Sequence, residues 1–325
     1  MSKIISDLVS AGIGKESSRG TAVAPTYWIP WVNFGFDDKV QKYVTQEALG
    51  VLDDAHEEFV GERWGEGDFE GEIRDKSFGL LLYNLFGALS SAVKETTAYN
   101  HTFTLQQGNQ HQSLTLAVDD PNSGDRQFPL TMIDKMDLDF VLGQVCRYKA
   151  AFVSKPSESA TLTRSFTAEN KFLPTNITLK LATSRAGLAA ASAIKVQSLK
   201  LTVGKNLRRK HFLGSMAPDD IINQAIMIEG TFQLPYEDQT YKNYMLDQSY
   251  RAMSIDILNN GVTIGASSNP RLQMIFPRVS FRDWTPERSK GQLQEQTIGF
   301  KAMRDVANSE DLMYQTILTN LATSY

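Results

Sequence analysis

The chain has 325 residues, of which 42% are hydrophobic, 22% charged and 10% aromatic. These values lie near those of soluble globular proteins and exclude a disordered, collagen-like or coiled-coil chain. The length predicts about two domains, each able to bury a core, and the formal net charge of −4 argues against a protein that neutralises nucleic-acid phosphates.

The first 14 residues contain no apolar run long enough for a signal peptide or a membrane-spanning helix. We therefore expect a protein that stays in the compartment where it is made and has no membrane partner. Gly14 and Lys15 do not begin a phosphate-binding loop, because Val9 and Glu16 replace two residues that this motif requires. Residues 1–14 are expected to form an arm that orders when a neighbouring molecule supplies a surface.

The predicted elements then come in two series with the same order. After Arg19 and after Arg185, a stretch of small residues leads into a strand, at residues 29–36 in the first series and 198–203 in the second. Along both strands apolar and polar residues alternate with period two, which is typical of a half-buried strand.

Two short motifs mark the next part of each series. Leu49-Gly50 returns as Leu213-Gly214 after 164 positions, and Glu66-Gly67-Asp68-Phe69 returns as Glu229-Gly230-Thr231-Phe232 after 163. Each match is weak by itself, because such short motifs recur by chance. Their common order and nearly constant spacing predict an internal duplication.

A short amphipathic helix is predicted after the second motif in each series. In the first, apolar residues follow the spacing i, i+3, i+4, i+7 from Phe78 to Leu85, and in the second Tyr241, Tyr244 and Met245 take the corresponding positions. Turn-rich segments separate the strands that follow. Three such strands are predicted in each series. They are residues 114–118, 130–140 and 148–153 in the first, and residues 253–258, 272–281 and 297–302 at the corresponding places in the second.

The two series predict two tandem domains, one over residues 1–157 and one over residues 158–325. The boundary is expected between Ser154 and Asn170, where the chain is rich in Ser, Thr, Lys and Glu. Each domain is expected to be mainly β, of the α+β class, and to form a β-sandwich or half-barrel with one short flanking α-helix.

The stretch between the early strand and the Glu-Gly-x-Phe motif is acidic in the first series and basic in the second. Opposed charges on equivalent loops can fix the register of stacked molecules, so this stretch is a candidate for an axial contact between rings. Two loops that merely face solvent are the alternative. The candidate residues are Asp53, Asp54, Glu57, Glu58, Arg208, Arg209 and Lys210.

Residue types that support catalysis or metal binding show no matching pattern. Cys146 is the only cysteine and is expected to be a buried strand residue. The histidines lack the spacing of a zinc-binding helix and are expected on the surface or in loops: His56, His101, His111 and His211. The tryptophans are expected to pack in the core or at a subunit interface: Trp28, Trp31, Trp64 and Trp284. We therefore predict no catalytic, cofactor or metal site, and a hydrolase is the least favoured reading.

Several segments resemble the major tail tube proteins of phages of the siphovirus type. Residues 12–16, 19–22 and 27–30, with Leu49-Gly50, resemble the opening of that family. The Gly67 to Gly71 spacing belongs to the same resemblance. Residues 275–284 and 318–325 resemble its closing strands, so the resemblance covers nearly the whole chain.

The resemblance implies a fold of two packed sheets plus a helix, in which rings of subunits join their inner sheets into a barrel around a channel. With two domains in one chain, it implies a homotrimeric ring of pseudo-sixfold symmetry, and a hexamer of chains is the alternative. The rings would stack into the tail tube of the virion, with assembly in the host cytoplasm. DNA would pass through without specific binding, and the implied partners are the tape measure, tail terminator and distal tail proteins.

Elementary physics agrees with assembly, because an unpaired sheet edge recruits other chains and ring closure removes such edges. A second hypothesis, from another class, is a monomeric β-sandwich module of a virion that binds a carbohydrate or a receptor. Electron microscopy separates the two, since only the first forms rings or tubes.

Overall fold

The computed structural model describes residues 5–325, and strands dominate it. The mainly β prediction is confirmed. The strands are β1 Ser10–Lys15, β2 Tyr27–Ile29, β3 Trp31–Phe34, β4 Asp37–Val44, β5 Glu58–Glu72, β6 Gly87–Glu95, β7 Ala98–Leu105, β8 Leu114–Asp119, β9 Arg126–Val141, β10 Arg147–Ser154, β11 Glu158–Ser159, β12 Ile177–Ala182, β13 Ala193–Ile194, β14 Ser198–Gly204, β15 Arg208–Lys210, β16 Asp220–Ile222, β17 Met227–Pro235, β18 Arg251–Leu258, β19 Arg271–Glu287, β20 Glu295–Ala302 and β21 Gln315–Asn320.

Two α-helices are present in the described residues, α1 Ser77–Phe86 and α2 Thr240–Leu246. Both lie where the apolar spacing predicted them. Helix α1 is buried along nearly its whole surface and ends at Gly87, whose φ of 86° is a left-handed conformation that glycine adopts without strain. Helix α2 is shorter and rests on β19. Neither helix has the length and apolar character needed to cross a membrane.

The two halves of the chain use the same order of paired strands. In the first half β1 pairs with β8, β8 with β9, β9 with β10, and β10 with β5, which also pairs with β3 and β4. In the second half β12, β18, β19, β20 and β17 pair in the same sequence, and β17 also pairs with β14. All of these pairs are antiparallel.

The strand registers of the two halves also correspond. Phe69 of β5 lies opposite Ala150 of β10, and Phe232 of β17 lies opposite Ile298 of β20. One residue is skipped in the ladder at the same place in each half, Asp134 in β9 and Arg282 in β19. A bulge of this kind bends a strand, and here it lies near the middle of the two longest strands of the chain.

Each long strand passes from one layer of the fold to the other, and the core lies between the layers. The beginning of β9 pairs with β8, whereas its end pairs with β10. Aromatic rings fill the space between: the ring of Phe36 meets that of Phe128 edge-on at 4.8 Å, and Phe69 meets Phe152 at 6.4 Å.

Proline divides the first predicted strand, so the prediction of a single strand over residues 29–36 is wrong. Before Pro30, β2 pairs with β1; after it, β3 pairs with β5. The ring of Pro30 removes a backbone donor and fixes φ, which favours a change of ladder at this point.

The expected arm at residues 1–14 is corrected for its second part. Residues 1–4 lie outside the described residues. Ser10–Lys15 forms β1, which pairs with β2 on one side and β8 on the other, and its side chains Ala11 and Ile13 are buried. These residues therefore belong to the folded body of their own chain.

A hairpin that the sequence did not predict follows α1. Its strands β6 and β7 pair with each other, and β7 also pairs with β21 from the end of the chain. The terminal residue Tyr325 closes this region: its hydroxyl donates a hydrogen bond to the carbonyl oxygen of Lys76 at 2.7 Å, and its ring covers Gly79 of α1.

Candidate assembly surfaces

One continuous sheet contains strands from both halves of the chain. Strands β3 and β4 both pair with β5 and together occupy the first position. The order then continues with β5, β10, β9, β14, β17, β20 and β19. The ladder between β9 and β14 joins the halves, so the chain presents a sheet of eight strand positions.

The ladder between β9 and β14 is apolar on one face and polar on the other. On the polar face the Thr202 hydroxyl donates a hydrogen bond to Asp137 at 2.6 Å, and the Lys200 ammonium lies 3.9 Å from Asp139. The buried face holds three residues of each strand: Met136, Leu138, Phe140, Leu199, Leu201 and Val203.

The eight-strand sheet has two unpaired edges. Strand β4 pairs only with β5 in the part of the chain that the structure describes, and all eight of its residues are exposed. At the other side of the sheet, residues 280–287 of β19 pair only with β20 among residues 5–325. An exposed edge of this kind offers backbone donors and acceptors to another strand.

The polar face of this sheet is acidic. Along β9, β10 and β14 its charged residues alternate with buried ones, and over the whole face the acidic residues outnumber the basic ones. An ion pair with Asp68 at 2.6 Å raises the pKa of Lys149. The acidic set is Asp37, Glu66, Asp68, Glu70, Glu72, Asp137, Asp139, Glu229, Asp283, Glu287 and Glu295, and the basic set is Lys39, Lys135, Arg147, Lys149, Lys200 and Lys301.

The acidic candidates for an axial contact lie at the end of the β4–β5 hairpin. Asp53, Asp54 and Glu57 are exposed in the loop of residues 45–57. Glu58 begins β5 and forms an ion pair with Lys42 of β4 at 2.9 Å. The first three carboxylates therefore face solvent in a single chain.

The basic candidates form β15, a short strand that pairs with β16. The guanidinium of Arg209 lies over the ring of Trp64 at 3.8 Å and 3.5 Å from Glu66, both in β5 of the other half. Arg208 and Lys210 are exposed. Within residues 5–325 no ion pair joins this stretch to Asp53, Asp54, Glu57 or Glu58.

Exposed apolar side chains lie beside both charged stretches, where only the charges were predicted to form contacts. Leu52 and Leu213 are fully exposed. The only sequence signal was the Leu-Gly motif found in each of the two loops. Contiguous exposed apolar patches are typical of interaction surfaces. The residues are Leu49, Val51 and Leu52 in the first loop and Phe212, Leu213 and Met216 in the second.

Two histidines are buried, which corrects the prediction of surface or loop positions. His101 lies in β7 and contacts the Ser91 hydroxyl at 2.8 Å and Asn320 at 3.1 Å. His111 is also buried, and burial, with a smaller effect of the Lys205 charge, lowers its pKa to about 4. These rings join neighbouring segments of the fold. Of the remaining two histidines, His56 is exposed and His211 is half-buried.

Cys146 and two of the tryptophans have packing or hydrogen-bond partners within the fold. Cys146 is buried as predicted, although it lies just before β10, and burial raises its pKa to about 12. Trp28 is buried against Phe166, and the Trp284 ring nitrogen donates to Gln296 at 2.9 Å. Among residues 5–325 no three His, Cys, Asp or Glu side chains are placed to hold a metal ion.

The family described as phage tail tube protein matches residues 6–302, nearly the whole chain. No curated protein matches it.

Proposed function

The chain belongs to the phage tail tube protein family, and from this premise we propose that it closes into rings which stack into the tube that carries DNA into the host. Its role in the virion is structural. The observation that supports ring closure is the eight-strand sheet with one unpaired edge in each half.

Three chains per ring follow from the duplicated architecture that we propose, with tail-tube domains over residues 1–157 and 158–325. In support, β14 of the second half pairs with β9 of the first, so strands of both halves lie in one sheet. Three such sheets supply twenty-four strand positions, and barrels of about 16–18 strands already enclose an aqueous channel. A ring of three chains thus has pseudo-sixfold symmetry.

The acidic face of the sheet is the proposed channel lining. The opposite face packs into the core, so only the polar face is available to a central channel. Phosphate binding by proteins depends largely on Lys and Arg, and a net acidic lining lets DNA slide without being held.

The loops with exposed apolar residues are the proposed axial contacts between rings. Leu52 and Leu213 would be buried against the next ring, while the acidic and basic stretches beside them set the register. Burial of such exposed side chains is a large favourable term in association. The tape measure, tail terminator and distal tail proteins are the proposed partners at the ends and inside of the tube, and assembly is proposed to occur in the host cytoplasm.

Electron microscopy and native mass spectrometry of the purified protein test the proposal. We expect rings or tubes, and a smallest closed species of three chains. A protein that stays monomeric at high concentration would instead favour the binding module of a virion. A closed species of six chains would overturn the trimer but not the ring.

A charge reversal tests the axial contacts. In the variant Arg208→Glu/Lys210→Glu, which leaves Arg209 on Trp64, we expect rings of normal size that no longer stack, because the register charges are reversed. Leu213→Ser is expected to weaken stacking as well. Lys180→Glu, a change at a half-buried lysine of β12 that lies outside β15 and both loops, is the control. Tubes of wild-type length from the double variant would refute this role.

A further inference from the structure

We propose a specific register for the contact between chains: the β4 edge of one chain pairs antiparallel with residues 283–286 of β19 in a second copy, so that Lys39 faces Asp283 and Asp37 faces Thr285. This inference rests on the proposed ring and adds the residues that face each other in it.

The ladder between β14 and β9 within one chain is the template. Residues 199, 201 and 203 of β14 face 140, 138 and 136 of β9. Hydrogen bonds from Leu142 N to Gln197 O and from Lys205 N to Asp134 O extend the same register at both ends. The alternate pairs, including Thr202 with Asp137, are therefore the non-hydrogen-bonded pairs, whose side chains approach most closely.

The partner strands identify the corresponding edge residues in the other half. Phe34 lies opposite Phe69, and Leu199 lies opposite Phe232, which are the phenylalanines of the two Glu-Gly-x-Phe motifs. Residues of β3 and β4 therefore correspond to residues of β14 that lie 165 positions later. Ala150 of β10 faces both Phe69 and Met136, and Ile298 of β20 faces both Phe232 and Trp284. Met136 and Trp284 therefore correspond, which relates β9 to β19 by 148 positions. Applying both shifts to the template gives the proposed pairs.

The side chains at the proposed positions are complementary. Thr202 and Asp137 form a hydroxyl–carboxylate pair within the chain, and the same pair returns with its members exchanged as Asp37 and Thr285. Lys39 faces Asp283, a pair of opposite charge. Among residues 5–325 neither Lys39 nor Asp283 forms an ion pair, and both are exposed.

Proline limits how the β19 edge pairs. Pro286 would face Phe36, in a position where the template makes backbone hydrogen bonds, so one donor is missing from the ladder. Proline at an edge disfavours indiscriminate strand addition. Specific side-chain pairs are then needed to select the correct partner, which agrees with charge complementarity at Lys39 and Asp283.

An engineered disulfide tests the register. In the variant Lys39→Cys/Asp283→Cys, the two residues form a non-hydrogen-bonded pair whose Cα atoms lie about 4.5 Å apart, within the range of a disulfide. The matched control, Lys39→Cys/Thr285→Cys, displaces one cysteine by two residues on the same face, to a diagonal separation of about 7–8 Å. Native Cys146 is buried and does not compete.

We expect covalent dimers and trimers on a non-reducing gel after mild oxidation of assembled rings, with yields at least about tenfold above those of the control. Mixing the two single variants, Lys39→Cys and Asp283→Cys, should give one heterodimer, which shows that the bond joins different chains. Stronger cross-linking in the Thr285→Cys control overturns the register while leaving the ring intact.

A charge exchange provides a second measurement if the cysteine variants do not assemble. Lys39→Asp should reduce ring yield, because two carboxylates then face each other, and Lys39→Asp/Asp283→Lys should restore it. A double variant no better than the single one overturns the inference. Failure of the wild-type chain to form rings would instead overturn the proposed function.

Discussion

At the scale of single residues, the glycine of the repeated Glu-Gly-x-Phe motif has a steric reason. A Cβ atom at Gly67 would overlap the carbonyl oxygen of Gly35, and one at Gly230 would overlap the carbonyl oxygen of Lys200. These two carbonyl groups lie at corresponding positions of the two halves. The glycine of the motif thus permits a close approach of two backbones, because it has no side chain.

Replacing either glycine should destabilise the fold. We expect Gly67→Ala and Gly230→Ala each to lower the free energy of unfolding by about 1–3 kcal/mol, because the backbone must shift to accept the methyl group. Urea unfolding measures this. The control Gly204→Ala, whose Cβ would have only Met227 Cε at 3.9 Å, should stay within about 0.5 kcal/mol of wild type. Equal effects at all three positions would contradict the steric explanation.

Glu95 provides a pH-dependent link between the two halves. Hydrogen bonds from the Ser268 hydroxyl and the Ser267 backbone N–H lower its pKa to about 2. Because the pKa in the folded state is depressed below the ordinary value of 4.5, the stabilisation is present above about pH 4.5 and is lost as the pH falls towards 2.

The variant Glu95→Gln tests this link. We expect wild type to be more stable than the variant at pH 7, and the difference to disappear as the pH falls from 4.5 to about 2. Chemical unfolding at a series of pH values measures it. Glu237→Gln, at an exposed residue outside the proposed contacts, is the control for the loss of a carboxylate. A difference independent of pH would rule out the carboxylate as its cause.

At the scale of elements, the last strand, β21, links the two halves. It pairs with β19 on one side and with β7 on the other. Its last residue, Asn320, is buried, is in hydrogen-bond contact with His101 and donates to the Asp75 carbonyl oxygen. The β6–β7 hairpin therefore depends on a strand more than 200 positions away.

Truncating one buried side chain of β21 should reveal this dependence. Leu318 is fully buried, and we expect Leu318→Ala to lower the free energy of unfolding by about 2–5 kcal/mol through lost burial and the cavity left behind. Leu321→Ala, at a residue that is 38% exposed, should cost less than about 0.5 kcal/mol. Thermal or denaturant unfolding distinguishes them, and equal costs would show that β21 contributes little.

At the scale of the whole molecule, the halves are joined because strands of the second half pair with strands of the first. Strand β14 covers the end of β9, and β21 covers β7. Lys205, at the end of β14, is buried and donates to the carbonyl oxygen of Asn84 in α1 at 2.8 Å. Burial, with the charge of Arg19, holds the pKa of Lys205 well below its usual range.

Separate expression of residues 1–157 and 158–325 tests the mutual dependence. We expect each fragment alone to aggregate or to unfold at a lower denaturant concentration, because both edges and their apolar faces become exposed. Co-expression should yield a soluble complex that purifies through a tag on one fragment. Two stable, independent monomers that do not associate would contradict this expectation.

The sequence by itself determined the local elements. The periods of apolar residues located α1, α2 and the alternating strand at residues 198–203, because burial on one face leaves a regular pattern within a short window. The repeated motifs gave the order of the strands along the chain. The family resemblance was also recognisable from such segments, and it is shown by the match over residues 6–302.

Only the tertiary structure decided which edges meet. The pairing of β9 with β14 and of β7 with β21, the burial of His101 and His111, and the two free edges depend on residues far apart in the chain. A strand carries the same period whether its neighbour is near or distant in sequence, so periodicity does not specify the partner. The partner is set by the packing of the whole chain, which also determines the surfaces left for another copy.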